Sequence, residues 1–265
     1  MTPESRIVVQ FSCGAASAVT AKLVVGEFGE THDVHIINAF VEDEHEDNRR
    51  FLSDCEKWIG RSITVLRDEK YGASAREVFR RKRYMKGLRG APCRKAIKGD
   101  VLDAYELPGD IKALGYTAGE EDRLNDFCDA NPSARVLSVL IDRGLTKQDC
   151  LALVERAGIA LPLTYRMGYH NANCIGCVKG GAGYWNKIRR DFPADFEEMA
   201  RIEEAIGPSA RLLRHRGGPL KGQRFYLREL HPDAGRHEDV NIECGAACEW
   251  TENSAAWDEL REGPV

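Results

Sequence analysis

Hydrophobic positions in the first half of the chain follow two rhythms. Compact runs rich in β-branched residues occupy 7–11, 34–40 and 63–66. Between them, apolar residues recur at helical spacing, in one stretch beginning near Ala18 and in another passing through Phe51 and Trp58. Runs too short for a helix, separated by amphipathic stretches, predict strands joined by helical crossovers, which places the strands parallel. Further strands are predicted at 111–117 and 136–141, with helices at 120–129 and 147–157. The expectation is an α/β domain over residues 1–160, a parallel sheet of about five strands with helices on both faces.

The pattern changes after Gly158. Residues 161–183 are rich in Gly, Cys, Asn and Tyr and predict an ordered loop held by something other than an apolar core. A helical pattern covers 184–206, followed by a basic Gly-rich turn and a short β-like piece at 225–230. Residues 161–265 are therefore expected to form a Cys-containing loop, helix and C-terminal extension packed on the first domain.

With 265 residues and 43% hydrophobic content, the chain can bury a sizeable core, which excludes a disordered protein. The net charge of -4 and pI near 6.0 give no whole-chain sign of a nucleic-acid or membrane-surface protein, so any polyanion site must be local. No apolar run approaches the roughly 20 residues that span a bilayer, and MTPESRIVVQ leads straight into a strand-like run without a signal pattern. A cytoplasmic protein with no membrane partner is expected. Nine cysteines are many for a reducing compartment, where disulfides rarely persist, and they point to metal binding or thiol chemistry.

In an open parallel sheet the ligand lies beyond the carboxyl ends of the strands, after Phe11, Phe40 and Tyr116. Phe11 is followed by Ser12-Cys13-Gly14-Ala15-Ala16-Ser17, small residues leading directly into a helix. Ser12, Gly14, Ala15 and Ser17 are expected to seat a phosphate or sulfate, because small side chains let backbone N–H groups and a helix amino terminus approach an anion. No Lys-Ser/Thr pair ends the loop and no G-x-G-x-x-G pattern is present, so it is neither a Walker loop nor a dinucleotide fingerprint. The same residues also suit a plain strand-to-helix turn.

Cys174-Ile175-Gly176-Cys177 is a C-x-x-C on a Gly-flanked loop, with Asn171 and Asn173 before it and Lys179-Gly180-Gly181 after it. It can offer two thiolates to one metal or cluster, with backbone N–H groups directed toward the sulfurs; a redox dithiol and a zinc knuckle are the alternatives. Cys93 stands in Gly90-Ala91-Pro92-Cys93-Arg94-Lys95 after a basic run comprising Arg76, Arg80, Arg81, Lys82, Arg83, Lys86 and Arg89. That run reads as a patch for a multiply charged anion or as a solvated helix face. Cys55, Cys128 and Cys150 fall in helical patterns and read as core residues, and Cys13 as part of the loop or a small filler. The acidic run Glu42 to Asp47 suits a ribose or metal, or helix-start chemistry.

The loop after the first strand resembles the Ser-x-Gly-x-x-Ser loop of the superfamily that unites PAPS reductases with N-type ATP pyrophosphatases, whose fold is Rossmann-like. The pyrophosphatase form carries Asp where this chain has Ala16. Gly115-Tyr116 through Glu120 and Arg123 is similar to the superfamily's Gly-x-x-x-x-Glu-x-x-Arg region, which brings Tyr116 and Arg123 toward the nucleotide. Cys93 with Arg94 and Lys95, followed by the C-x-x-C, resembles the iron–sulfur sulfonucleotide reductases, with Pro92 in place of a neighbouring cysteine.

The resemblance implies that Arg94 and Lys95 join the nucleotide site. It also implies that Cys93, Cys174 and Cys177 ligate a [4Fe–4S] cluster, with Cys248 or Cys244 as a fourth ligand or one iron left open. Glu243-Cys244-Gly245 is similar to the carboxy-terminal motif of PAPS reductases, which implies Cys244 as the nucleophile, although Ala246-Ala247 replaces the usual aliphatic-His pair. The implied activity is reduction of PAPS or APS with electrons from thioredoxin or glutaredoxin. The alternative is an ATP- and Mg-dependent sulfurtransferase that thiolates a tRNA or DNA base through the open iron. A non-catalytic nucleotide- or nucleic-acid-binding module with a structural metal is the third reading.

Overall fold

A computed structural model describes residues 5–87 and 90–236 of the chain. Cys244 and Cys248 lie outside the described residues. Five parallel strands, β1 (Arg6–Gln10), β2 (Asp33–Ala39), β3 (Thr64–Leu66), β4 (Ile111–Ala113) and β5 (Arg135–Leu137), form one sheet in the order β3-β2-β1-β4-β5. The chain runs outward from β1 to β3, then returns to the other side of β1 for β4 and β5. That reversal opens a crevice between β1 and β4 beyond their carboxyl ends.

Strand β1 shows why the sheet is parallel and central. Ile7, Val8 and Val9 are all buried, as expected of a strand covered on both faces. Alternation sends Ile7 and Val9 into a core with helices α1 (Ala15–Phe28), α2 (Asp47–Ile59) and α6 (Lys147–Arg156), while Val8 packs on the opposite face with Ile37, Ala39 and Leu102. Leu102 belongs to α4, which runs from Pro92 to Tyr105 and is wound as a π-helix over Lys95–Gly99. The sheet is therefore doubly wound.

Two further helices, α3 (Ala75–Lys82) before α4 and α5 (Glu121–Ala130) after β4, complete the first half. The expected strand at 111–117 stops at Ala113 because the chain turns at Gly115 against the start of α1. A Cβ at Gly115 would lie 3.2 Å from the Ser17 nitrogen and 3.3 Å from its Cα. Similarly, the expected strand at 136–141 ends at Leu137 and gives way to a helical turn, Val139–Asp142.

The single helix expected over 184–206 is two, α7 (Ala182–Asp191) and α8 (Pro193–Ile206). Pro193 has no N–H to continue α7 and drives the preceding Phe192 out of helical geometry, to φ -135° and ψ 65°. Both helices pack with α3, α4 and a short hairpin, β6 (Leu213–Arg214) and β7 (Arg224–Phe225), around a second core containing Phe79, Ile97, Trp185, Ile188, Met199 and Leu227. Among the described residues, no helix is long and apolar enough to cross a membrane.

Candidate functional site

The loop after β1 is pinned from beneath. Asn38 donates its amide to the Phe11 carbonyl at 2.8 Å and is itself held by Arg49 at 3.0 Å. Cys13 adopts φ 57°, a left-handed conformation that side chains seldom enter, with Asn38 and Arg49 donating to its sulfur at 3.7 and 3.5 Å. Burial pushes the Cys13 thiol up to about 12, and Cys55 and Cys150 likewise to about 12 and about 11, so all three are neutral interior groups.

The two loop serines close the turn. Ser17 donates its hydroxyl to the Gly14 carbonyl at 2.9 Å and accepts the Ser12 N–H at 3.1 Å and the Ser12 hydroxyl at 3.3 Å. Ser17 is buried and Ser12 exposed, so Ser12 is open to solvent while Ser17 shapes the loop.

Above the loop lies a cleft of about 410 Å³, at the crevice between β1 and β4. Ser12, Gly14, Ala15, Ser17, Arg94, Tyr116 and Arg123, the residues singled out in the sequence, all line it. Lys95 does not: it is exposed outside the cleft, whereas Lys98, four residues from Arg94 and on its face of the helix, is in the lining. Helical spacing from Arg94 was the available signal for Lys98. Lys147, which donates to Asn171 at 2.8 Å, lines the cleft too, and no local motif marked it. Four cationic side chains, Arg94, Lys98, Arg123 and Lys147, thus face one acidic one, Glu120, while Ile37, Ala39, Leu102 and Phe127 give an apolar wall. Such a lining suits an anionic ligand carrying an apolar ring.

Two residues of the acidic run after β2, Asp43 and Glu44, brace the surrounding fold. The Glu44 side chain is 3% exposed and its carboxylate accepts from Lys98 at 2.8 Å and Asn48 at 3.1 Å. Asp43 accepts the Ala75 N–H at 2.6 Å at the start of α3 and pairs with Arg76 at 3.0 Å. The same segment grips the cysteine loop: Ile175 donates its N–H to the Asp43 carbonyl at 2.8 Å, and Glu44 bridges Cys174 through the backbone.

The C-x-x-C turn is organised by Tyr184 on α7. Its hydroxyl accepts the N–H groups of Gly176 at 3.0 Å and Cys177 at 2.9 Å and donates to the Cys174 carbonyl at 3.2 Å. These two amides therefore turn to the tyrosine, not to the sulfurs as sequence suggested. Burial holds the Cys174 thiol well above the ordinary range, with Lys98 opposing. Cys93, Cys174 and Cys177 are each partly buried against the second core. Among the described residues, no three His, Cys, Asp or Glu side chains are close enough to chelate one metal ion. Thiols are the donors that an iron–sulfur cluster takes, one per iron, and all three pack against the same core.

Asn171 and Asn173 line both the cleft and a small cavity of about 20 Å³ beside Cys174, Cys177 and Tyr184. The nucleotide-sized space and the cysteine loop are neighbours. By contrast, the basic run on α3 does not line the cleft, and its three arginines are paired within the fold. Arg76 pairs with Asp43 and Asp195, Arg80 with Glu198, and Arg81 with Glu77, while Arg83 donates to the Ala205 carbonyl at 2.7 Å.

No protein-family model matches the chain, and no curated protein matches it significantly. Among solved structures it is similar to the U34-tRNA thiolase NcsA from Methanococcus maripaludis with its [4Fe–4S] cluster, at 12% identity and a TM-score of 0.41, over 77% of this chain and 72% of that one.

Proposed function

We propose that the protein is an adenine-nucleotide-dependent enzyme of sulfur transfer, which activates a nucleic-acid base with ATP and replaces the activated oxygen by sulfur. The observation that carries this reading is the shared wall between cleft and cysteine loop. Asn171 and Asn173 face both spaces, and Lys98 lines the cleft while its charge opposes the rise of the Cys174 thiol. Cys93, Cys174 and Cys177 would hold a [4Fe–4S] cluster, which when bound supplies an iron without a protein thiolate as a place for sulfide.

The chain's own residues supply binding and orientation. The start of α1 and the cations Arg94, Lys98, Arg123 and Lys147 surround the phosphates, and the apolar wall takes the adenine. The carbonyl oxygen of the acceptor base attacks the α-phosphorus, pyrophosphate leaves with the electron pair of the broken P–O bond, and the base becomes adenylated. Sulfide then displaces AMP. Cationic side chains placed around the leaving pyrophosphate stabilise the charge that develops there.

A second reading, reduction of PAPS or APS, is favoured by Ala16. This residue lines the cleft with a methyl group where the ATP-cleaving loop carries a carboxylate able to manage Mg. In that case Cys244 attacks the sulfur of the sulfonucleotide, and thioredoxin or glutaredoxin returns the reducing equivalents. Anaerobic purification with iron and sulfide analysis, followed by assays for pyrophosphate from Mg-ATP and sulfite from APS or PAPS, separates the two. Iron with RNA-stimulated pyrophosphate release supports sulfur transfer. Iron with sulfite release replaces it by the reductase, and protein without iron refutes both.

A further inference from the structure

Arg76, Arg80 and Arg81 of the densest cationic run are paired within the fold, and a different cationic surface emerges. Residues 207–226 carry five Lys or Arg and no Asp or Glu. They fold as the β6–β7 hairpin, whose base is anchored by buried Glu203, accepting the N–H groups of Leu212 and Leu227 at 2.7 Å each. Arg214, Arg216 and Lys221 are exposed, and among the described residues no carboxylate pairs with them or with Arg224.

The strand register makes this arrangement costly for the protein alone. Arg214 sits directly opposite Arg224 across the antiparallel pair, where like charges repel. Cations assembled against one another, without described acidic partners for the hairpin arginines, are relieved by a polyanion.

The detail favours a phosphodiester backbone over an acidic polypeptide. Arginine forks match phosphate oxygens. The hairpin tip carries Gly217, Gly218 and Gly222, at each of which there is open space where a side chain would stand, so backbone can approach a phosphate closely. Beside it, the His215 and Phe225 rings lie 4.5 Å apart at 36°, half-buried, a surface on which a base can stack.

We infer that the β6–β7 hairpin is a docking surface for RNA. The inference deepens the sulfur-transfer reading, on which it rests, by assigning the acceptor a place on the protein.

The test is anisotropy of a fluorescent mixed-sequence RNA stem–loop with the full chain, across a salt series, with iron measured on the same samples. Wild-type protein binds with an affinity that falls as salt rises. The triple variant Arg214→Ala/Arg216→Ala/Lys221→Ala binds at least about tenfold more weakly and flattens the log–log salt slope by about two to three. Arg80→Ala/Arg81→Ala, on the quenched helix, stays within about twofold of wild type, because those charges are already paired. Equal binding by the triple variant and wild type overturns the proposal, as does equal competition by polyglutamate of matched charge, which would assign the surface to an acidic protein. Iron-loaded protein that releases pyrophosphate without binding RNA sinks the docking surface alone. Hairpin-dependent RNA binding by protein that never carries iron sinks the sulfur-transfer reading and leaves the surface standing.

Discussion

Replacing Tyr184 by Phe removes one oxygen and keeps the ring that packs edge-on against Tyr169 and Trp185 at 6.1 and 5.7 Å. The deleted hydroxyl serves three backbone groups of the C-x-x-C turn: the Gly176 and Cys177 N–H groups and the Cys174 carbonyl. A buried polar group left unmatched costs about 1–3 kcal/mol. The Gly176 N–H bond is buried, whereas Cys177 is only partly so, and water can reach part of the loop. The expected loss is therefore about 2–4 kcal/mol, well short of three full penalties but a large share of a typical stability of about 5–15 kcal/mol. With an m-value of about 2 kcal/mol/M, the urea midpoint drops by about 1–2 M. Iron is expected to leave the variant faster under chelator, because Cys174 and Cys177 are no longer held in one turn. A midpoint within about 0.3 M of wild type, which corresponds to less than 1 kcal/mol, would show that the hydroxyl does not hold the loop.

Other perturbations probe the remaining supports. Burial raises the Glu203 carboxyl from 4.5 to about 7, so the folded chain keeps a proton that the unfolded chain releases. Its contribution to stability is then greatest below about pH 4.5 and falls as pH rises to about 7, by on the order of 3 kcal/mol. The stability difference between wild type and Glu203→Gln, measured by urea unfolding across that range, should shift by this amount against wild type; a flat difference contradicts the assignment. Gly115→Ala places a methyl 3.2 Å from the Ser17 nitrogen, against helix backbone with little room to yield. It should cost about 1 kcal/mol and weaken nucleotide binding by calorimetry, and unchanged affinity would mean the two loops can separate freely. Lys98→Met leaves the nearly buried Glu44 carboxylate short of its 2.8 Å partner. It should lower stability by about 2 kcal/mol and reduce nucleotide affinity, with a thermal melt and equilibrium dialysis as the checks.

What could be read from the sequence was local. The apolar runs of β1 and β2 and the small-residue turn before α1 are determined by neighbours a few positions away, through side-chain alternation and the reach of backbone amides. The same holds for the helix break at Pro193, legible in principle and missed because apolar periodicity continued across it. The C-x-x-C was also visible, as two donors on one turn, but the hydroxyl that organises it comes from Tyr184 on the following helix. Gly115 fell inside an expected strand, and the contact that makes a glycine necessary there is with Ser17, on a different crossover.

Charge was the property that only the tertiary structure decided. Seven cations between Arg76 and Arg89 are conspicuous in the sequence, yet Arg76 meets Asp195 and Arg80 meets Glu198, 119 and 118 residues away. Lys95 was the lysine expected beside Arg94, yet the path of α4 turns it outward and brings Lys98 into the cleft. The hairpin arginines look ordinary in sequence and become a concentrated surface because their cross-strand register sets Arg214 against Arg224. Secondary structure follows from interactions over a few residues, whereas the field at a site sums over every charge the fold brings near it, and those partners are fixed by chain topology.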